Sequence, residues 1–319
     1  MKNIKAREEY SKNKLDEVRQ KISIQCNEDK DLKRYSNNFT IIVGGSYARL
    51  EASEESDMDY FIVCQDVKCQ EVLKSKSKCI QECIQKTGIK NAAPDGAFGE
   101  IETIKEMTEN VGGRNDINAK ITRRILFLIE GIALYNKSVF NQYREKLIKK
   151  YISDKITDHQ LSMFLLNDII RYYRTVCVDF EYKTAEAGKP WGTRNIKLIY
   201  ARKLLYFSSI LVCAETAQRD YEDKVKITND LLCKTPIQRI QEVCGARADK
   251  ALKIYDDYLV KLSDKRIRQE LDAVSKENAR DCKTYIKMKN NGHHYNWELL
   301  KLLHDTYASN HPIHRALIL

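Results

Sequence analysis

The sequence predicts an α+β fold, in which a small mixed sheet with flanking helices is followed by a C-terminal bundle of helices. Eight of the 12 glycines lie within the first 131 residues, and the whole chain has only 4 prolines. An apolar run of strand length ends at Val43, and a second strand pattern at 57–64 alternates polar and apolar residues before an apolar end, whereas apolar residues recur at helical spacing from about Asn136 onward. We therefore expect a domain of mixed strands and helices over 1–135 and a helical domain over 136–319.

The first part of the chain alternates helical and strand patterns. Residues 1–35 are polar and charged, with a sparse apolar stripe that predicts an N-terminal helix. After the two strands, 68–87 predicts a second helix that ends at Gly88. Residues 98–104 alternate polar and apolar side chains and predict a third strand.

A further helix is expected after the glycine pair at 112–113. Asn115 and Asp116 are good helix caps, and an apolar run at 125–129 follows them. The later helices are predicted to pack as a bundle, because one long stripe repeats at helical spacing. That stripe comprises Leu161, Leu165, Ile169, Tyr172, Val176 and Phe180.

Composition indicates a cytoplasmic protein without a membrane segment. Hydrophobic residues make up 43% of the 319 residues and charged residues 31%. No apolar run approaches the roughly 20 residues that span a bilayer, and the charged N-terminus lacks the apolar core of a secretory signal. The 10 cysteines are scattered, with no Cys-x-x-Cys pair, so we expect reduced thiols.

The net charge of +10 favours an anionic partner. A nucleoside triphosphate alone would account for a local basic patch, and RNA would account for more of the charge. The charge does not separate these two partners.

Two aspartates and a glycine-rich turn form the most informative motif. The first apolar run predicts a buried strand that stops at Gly44, Gly45 and Ser46. On the next strand, Asp57 and Asp59 point to one face, with Cα atoms about 6.5–7 Å apart. Two adjacent carboxylates are costly without a cation, and Mg²⁺ suits this ligand set, with Mn²⁺ as the alternative. Glycines admit a phosphate closely, and a helix starting there would add its N–H groups and dipole.

The competing interpretation is a solvated acidic turn, which Glu51, Glu54 and Glu55 support. An ordered series of strand, glycine turn, short spacer, Ser-Asp-x-Asp and strand is harder to obtain by chance than either part alone. The metal-site interpretation is therefore the stronger one.

These residues resemble the signature of the DNA polymerase β-type nucleotidyltransferases. Within that superfamily, the stretch 44–59 is most similar to the minimal nucleotidyltransferases and the uridylyltransferase-like group. The resemblance covers about 25 residues, and a weaker similarity runs through Arg123 and Arg124 into the helical half. It implies a polymerase β-like N-terminal domain, and it adds Arg49 to the turn residues that bind nucleotide. One departure is Leu50, where many relatives have glycine.

The resemblance also implies a third carboxylate on the third strand. Glu100 and Glu102 lie on one face of that predicted strand, and either is a candidate. Ordinary exposed strand residues are the alternative. Arg123 and Arg124 are candidates for phosphate contacts, with a solvated helix end as their alternative.

A basic segment farther along is a candidate for substrate binding. Six lysines and arginines and one acid lie between 183 and 203. Trp191 is flanked there by Lys189, Arg194 and Lys197, a combination that stacks a base and neutralises phosphate. The alternative is a tryptophan that plugs a junction between helices.

The sequence therefore predicts a Mg²⁺-dependent nucleotidyltransferase that moves a nucleotide from a nucleoside triphosphate to an acceptor hydroxyl. The acceptor stays open between an RNA or tRNA end, a protein side chain, a second nucleotide and a small molecule. No Gly-x4-Gly-Lys-Ser/Thr loop occurs, which disfavours an ordinary ATPase or kinase. The rival from another class is a regulatory module that binds nucleotide without turnover.

Overall fold

The structure is a computed structural model that describes residues 1–91, 100–109 and 111–318. The chain forms two compact units. One comprises Ala6–Ser153, and the other comprises Asp154–Leu319 together with Met1–Lys5.

A four-stranded mixed sheet organises the unit Ala6–Ser153. Its strand order is β5-β3-β1-β6, and β1 is antiparallel to both of its neighbours, whereas β3 and β5 are parallel. These strands are β1 Phe39–Val43, β3 Tyr60–Cys64, β5 Ile101–Thr103 and β6 Ile132–Tyr135. A separate parallel pair joins β2 Asp57–Met58 to β4 Lys90–Asn91. The expected small mixed sheet is confirmed.

Helices surround this sheet. They are α1 Lys2–Glu28, α2 Lys30–Arg34, α3 Gly45–Ala48, α4 Val67–Gln85, α5 Ile104–Thr108, α6 Asn118–Ile129 and α7 Lys137–Tyr151. The predicted N-terminal helix is interrupted at Asp29, whose carboxylate accepts the amides of Asp31 and Leu32 and so caps α2.

The two faces of the sheet pack against different helices, because side chains alternate along a strand. Ile41, Val43 and Ile62 belong to a buried core with residues of α1 and α4. On the opposite face, the Phe61 ring meets the Phe127 ring of α6 at 6.4 Å between centroids. This second face leads to the candidate site.

The unit that contains Asp154–Leu319 is helical in every regular element that the structure describes there. Its α-helices are α8 Met163–Ala185, α9 Trp191–Lys197, α10 Lys203–Ala214, α11 Tyr221–Leu232, α12 Pro236–Cys244, α13 Asp249–Ser263, α14 Lys265–Asp272, α15 Lys283–Thr306 and α16 Pro312–Ala316. A π-helical turn, Leu198–Arg202, links α9 to α10, and a 3-10 turn, Gly245–Ala248, precedes α13. The predicted apolar stripe is buried except at Val176, which is half-buried.

Several local predictions were wrong. Strand β6 was not predicted, because only Glu130 and Gly131 separate it from α6 and its four residues give little pattern. The third strand begins at Ile101; Phe98 and Gly99 lie outside the described residues. Asp116 does not cap α6, since the N-cap residue is Ile117, without a side-chain hydrogen bond.

Two expectations from composition can be compared with the structure. All 10 cysteines are free thiols, as predicted. Across the part of the chain that is described, no helix combines the length and apolar character needed to cross a bilayer.

Candidate functional site

The turn after β1 is built against the carboxylate of Asp59. The amide of Gly44 donates to the carbonyl of Asp59 at 2.8 Å. Gly45 has φ +66°, and a Cβ added to it would lie 2.5 Å from Oδ2 of Asp59. Only glycine fits there, both because L side chains rarely adopt that φ and because the space is taken by the carboxylate. The two halves of the sequence motif therefore lie in contact.

The two aspartates differ in exposure. Asp57 is exposed in β2, and Asp59 is half-buried between β2 and β3. Met58, between them, is fully buried. Alternation along an extended chain thus turns both carboxylates away from the core that holds Met58.

A buried network of ion pairs and hydrogen bonds contacts the turn after β1. The Glu130 side chain is 0% exposed; Oε1 accepts the amide of Gly45 at 2.6 Å, and Oε2 accepts Nη1 of Arg49 at 2.5 Å. Nε of Arg49 donates to Oε2 of Glu51 at 2.8 Å, and Nη1 of Arg7 donates to the carbonyl of Glu51. Each buried charge has an opposite charge in direct contact, as burial requires.

This network changes the expected roles of Glu51 and Arg49 and adds one residue, Glu130. Glu51 is buried rather than part of a solvated acidic turn. The Arg49 guanidinium is buried between two carboxylates, so in this structure it braces the turn. Glu130 was not identified from the sequence, where the only signal is an acid at the end of an apolar helix, next to Gly131.

The turn offers less backbone to a phosphate than expected. The amides of Gly44 and Gly45 are donated to Asp59 and Glu130. Among the described residues, the amides of Ser46 and Tyr47 have no acceptor. Helix α3 is only four residues long, so it contributes little of the expected dipole.

Glu100, directly before β5, and Glu102, within β5, have different surroundings. Glu100 is exposed. Glu102 is buried, and its Oε1 lies 2.5 Å from Nη2 of Arg123 on α6. Burial raises the pKa of Glu102 above its usual range, and this effect exceeds the opposing attraction of the Arg123 guanidinium.

The strand register separates the two glutamates further. Glu102 lies opposite Val63, and the same register places Glu100 opposite Phe61. Along β3 these positions are about 13 Å and about 7 Å from Asp59. Glu100 is thus the nearer candidate, whereas Glu102 is too far to share an ion with Asp59. In the described ranges, no three histidine, cysteine, aspartate or glutamate side chains group closely enough to hold a metal ion.

Arg124 lies in a buried bidentate ion pair. Its Nη1 and Nη2 contact the two carboxylate oxygens of Asp116, each at 2.9 Å, and its Nε donates to the Tyr151 hydroxyl at 2.6 Å. Arg124 is 0% exposed. In this arrangement it anchors the loop before α6, and its guanidinium is not presented to solvent.

The basic segment of the helical unit includes a packed tryptophan. Trp191 begins α9, and its ring centroid lies 5.4 Å from that of Tyr285 and 6.2 Å from that of Phe180. Next to it, a Cβ on Gly192 would lie 2.7 Å from Cβ of Val274. These contacts suit a residue that fills a junction between helices.

The neighbours of Trp191 are less exposed than the sequence suggested. Lys189, Arg194 and Lys197 are all half-buried. Base stacking by Trp191 and phosphate binding by these cations stay predictions.

Compared with known proteins, the chain matches no family model and no curated protein. The resemblance to polymerase β-type nucleotidyltransferases therefore rests on the residues of the sequence motif alone.

Proposed function

We propose that the protein is a Mg²⁺-dependent nucleotidyltransferase with a polymerase β-like N-terminal domain. The observation that carries the proposal is the fit between Gly45 and the Asp59 carboxylate, which leaves no room for a side chain. A turn shaped in this way places backbone beside a carboxylate at the end of a strand, which would suit a phosphate and its counter-ion.

The chemistry of two neighbouring carboxylates would suit a magnesium ion that is shared with the substrate. Mg²⁺ commonly takes one or two carboxylates and completes its shell with water and phosphate oxygens, and Asp57 and Asp59 would supply that pair. When bound, the ion would neutralise charge on the phosphates during transfer. Mn²⁺ has the same preference for oxygen ligands.

The chain's own residues would position the triphosphate and activate the acceptor. Ser46 offers its hydroxyl and its amide to phosphate oxygens. The acceptor hydroxyl attacks the α-phosphorus, a new P–O bond forms, and the bond to the bridging oxygen breaks to release pyrophosphate. The hydroxyl proton would pass to a carboxylate of the site, for which Glu100, directly before β5, is better placed than Glu102.

We assign acceptor binding to the helical part of the chain, in which the sequence predicts a bundle. The acceptor class stays open between RNA, a protein side chain, a second nucleotide and a small molecule. The basic charge of the chain favours a phosphate-rich acceptor.

The runner-up is a nucleotide-binding module without turnover. It is favoured by the buried ion pair of Glu102 with Arg123 and by the lack, among the described residues, of a three-ligand group. Binding of a nucleoside triphosphate without any product would select this alternative.

The test is transfer from each α-labelled nucleoside triphosphate in Mg²⁺ or Mn²⁺, with cellular RNA or protein as acceptor. Asp57→Asn and Asp59→Asn should each lower the rate more than about a hundredfold, because a lost metal ligand removes several kcal/mol of charge stabilisation. Glu54→Gln changes an exposed acid of the same loop and is the matched control, with an unchanged rate. Retained turnover in both aspartate variants would exclude the proposed site.

A further inference from the structure

The solvent-facing side of helix α15 carries a mixed aromatic and basic stripe, which we call the α15 face. Ile286, His293, Trp297, Leu300 and Lys301 are all exposed and recur at the spacing of one helical face. Trp297 is 70% exposed. A tryptophan side chain that is mostly exposed to water is uncommon, because this residue is usually largely buried.

The lysines of this helix are available to an anion. Within the described ranges, no carboxylate forms an ion pair with Lys283, Lys287 or Lys301. Helix α15 has four lysines and two acids. One acid is the half-buried Glu298, and the other is Asp305 near the C-terminal end of the helix. The exposed Trp297 ring thus has lysine side chains on the same helix, at distances of about one helical turn or more.

The net charge of the helical unit is positive, as is that of α15. Met1–Lys5 and Asp154–Leu319 together contain 30 lysines and arginines against 22 acids, whereas Ala6–Ser153 contains 25 against 23. Most of the net positive charge therefore belongs to the helical unit, which attracts a polyanion at long range.

We propose that the α15 face binds single-stranded RNA, with a base stacked on Trp297 and the flanking lysines on phosphates. Every base has an aromatic face, and a row of cations follows the backbone, so this combination is typical of single-strand binding without strict sequence preference. The occupant is polyanionic, because the cations on the face are not already neutralised by the protein's own carboxylates.

A membrane surface fits the same face poorly. Ile286 and Trp297 are separated by about 16 Å along the helix, and polar Asn290 and His293 lie between them. A helix that enters a bilayer interface presents a continuous apolar side, and this side is interrupted.

The inference stands apart from the proposed reaction, because RNA binding needs neither nucleotide nor transfer. Asp57→Asn should leave RNA affinity unchanged, so failure of one proposal is distinguishable from failure of the other.

The first test is fluorescence anisotropy with a labelled single-stranded RNA of mixed sequence, about 16 nucleotides long, at about 50 mM salt. Trp297→Ala should weaken binding roughly five- to 150-fold, the effect of losing one stacked base. Trp297→Phe should restore much of the affinity. Tyr182→Ala removes an aromatic ring that is 58% exposed on α8 and should have no effect.

The second test uses the salt dependence of binding. Replacing Lys287 and Lys301 together by alanine should reduce the slope of log affinity against log salt by about 1.4, at about 0.7 for each phosphate contact. Lys226→Ala, at an exposed position of α11, is the control and should leave the slope unchanged.

Three outcomes would overturn the proposal. They are no RNA binding by the unaltered protein at low salt, equal affinity of the unaltered and Trp297→Ala proteins, and binding to anionic phospholipid vesicles without binding to RNA. Thermal unfolding of Trp297→Ala should match that of the unaltered protein, so a lost affinity would not reflect misfolding.

Discussion

Gly45 and Asp59 are in contact in a way that forbids a side chain at residue 45, since a Cβ there would stand 2.5 Å from Oδ2 of Asp59. Gly45→Ala should therefore displace the carboxylate and reduce transfer more than Ser46→Ala does. Ser46→Ala removes one hydrogen bond of about 1 kcal/mol. Transfer rates and nucleotide affinities of the two variants provide the measurement.

Gly88→Ala is the matched control for that prediction. Gly88 has φ +73°, but a Cβ there would meet nothing within 4 Å. Both alanine variants should lose about 1 kcal/mol of stability from the left-handed backbone, yet only Gly45→Ala should lose transfer. Equal loss of transfer in the two variants would contradict the contact-based explanation.

The buried Glu130 predicts a large effect on the turn. Glu130→Gln keeps the shape of the side chain but faces the Arg49 guanidinium or the Gly45 amide with an NH₂ group. Breaking one partner of a buried ion pair costs about 3–5 kcal/mol. Urea unfolding should show a loss of this size, and Glu54→Gln, at an exposed position, should show almost none.

The contrast between these residues explains how much could be predicted from the sequence. The turn and the two aspartates lie within 16 residues, so their spacing carries the geometry. Glu130 is 85 positions from the amide that it accepts, and nothing in the local pattern indicates that contact. Local periodicity in the sequence does not predict ion pairs between residues that are far apart along the chain.

The same limit applies to Arg124 and Trp191. Both stand in segments whose composition predicts phosphate or base contacts, yet Arg124 is buried against Asp116 and Trp191 packs on Tyr285. Charge and aromatic content give the chemistry that a side chain offers. Tertiary packing decides whether it faces solvent.

Glu102 predicts a pH effect on stability. Its pKa is raised in the folded protein, so between its ordinary and its raised pKa the folded state binds more protons than the unfolded state. The stabilisation is present below the ordinary pKa near 4.5 and is lost as pH rises through the raised pKa. On going from pH 7 to pH 5, the unaltered protein should therefore gain stability relative to Glu102→Gln.

Urea midpoints of the two proteins at both pH values measure this difference. Parallel pH profiles would show that Glu102 does not titrate in that window.

In the transfer reaction, Glu100→Gln should lower the rate at least about tenfold, as for a lost general base. Glu102→Gln should retain most of the transfer rate. The opposite order would return the third-carboxylate role to Glu102.

Leu50 has φ +58°, a left-handed conformation that costs a non-glycine residue about 1–2 kcal/mol. Its side chain packs partly against the core of the first unit. Leu50→Ala should lose that packing and keep the strain, whereas Leu50→Gly should lose the packing and relieve the strain. The glycine variant should therefore be the more stable by about 1 kcal/mol.

This order is the reverse of the usual one, because glycine normally destabilises a helix or strand relative to alanine. The control is Lys74 in the middle of α4, an exposed position at which alanine should be the more stable replacement. Thermal unfolding of the four variants decides the matter. The usual order at residue 50 would contradict a strained backbone there.

Trp191 offers a direct comparison with Trp297, since the chain has only 2 tryptophans. Trp191 is half-buried against Phe180 and Tyr285, so Trp191→Ala should cost about 2–3 kcal/mol, less than the 3–5 of a fully buried aromatic side chain. Trp297→Ala should change stability by less than about 0.5 kcal/mol. Thermal unfolding and nucleotide affinity are measured on the same preparations. If Trp191 only fills the junction, the nucleotide affinity of the folded molecules is unchanged in Trp191→Ala. If Trp191 stacks a base, the nucleotide affinity of the folded molecules falls roughly ten- to a hundredfold.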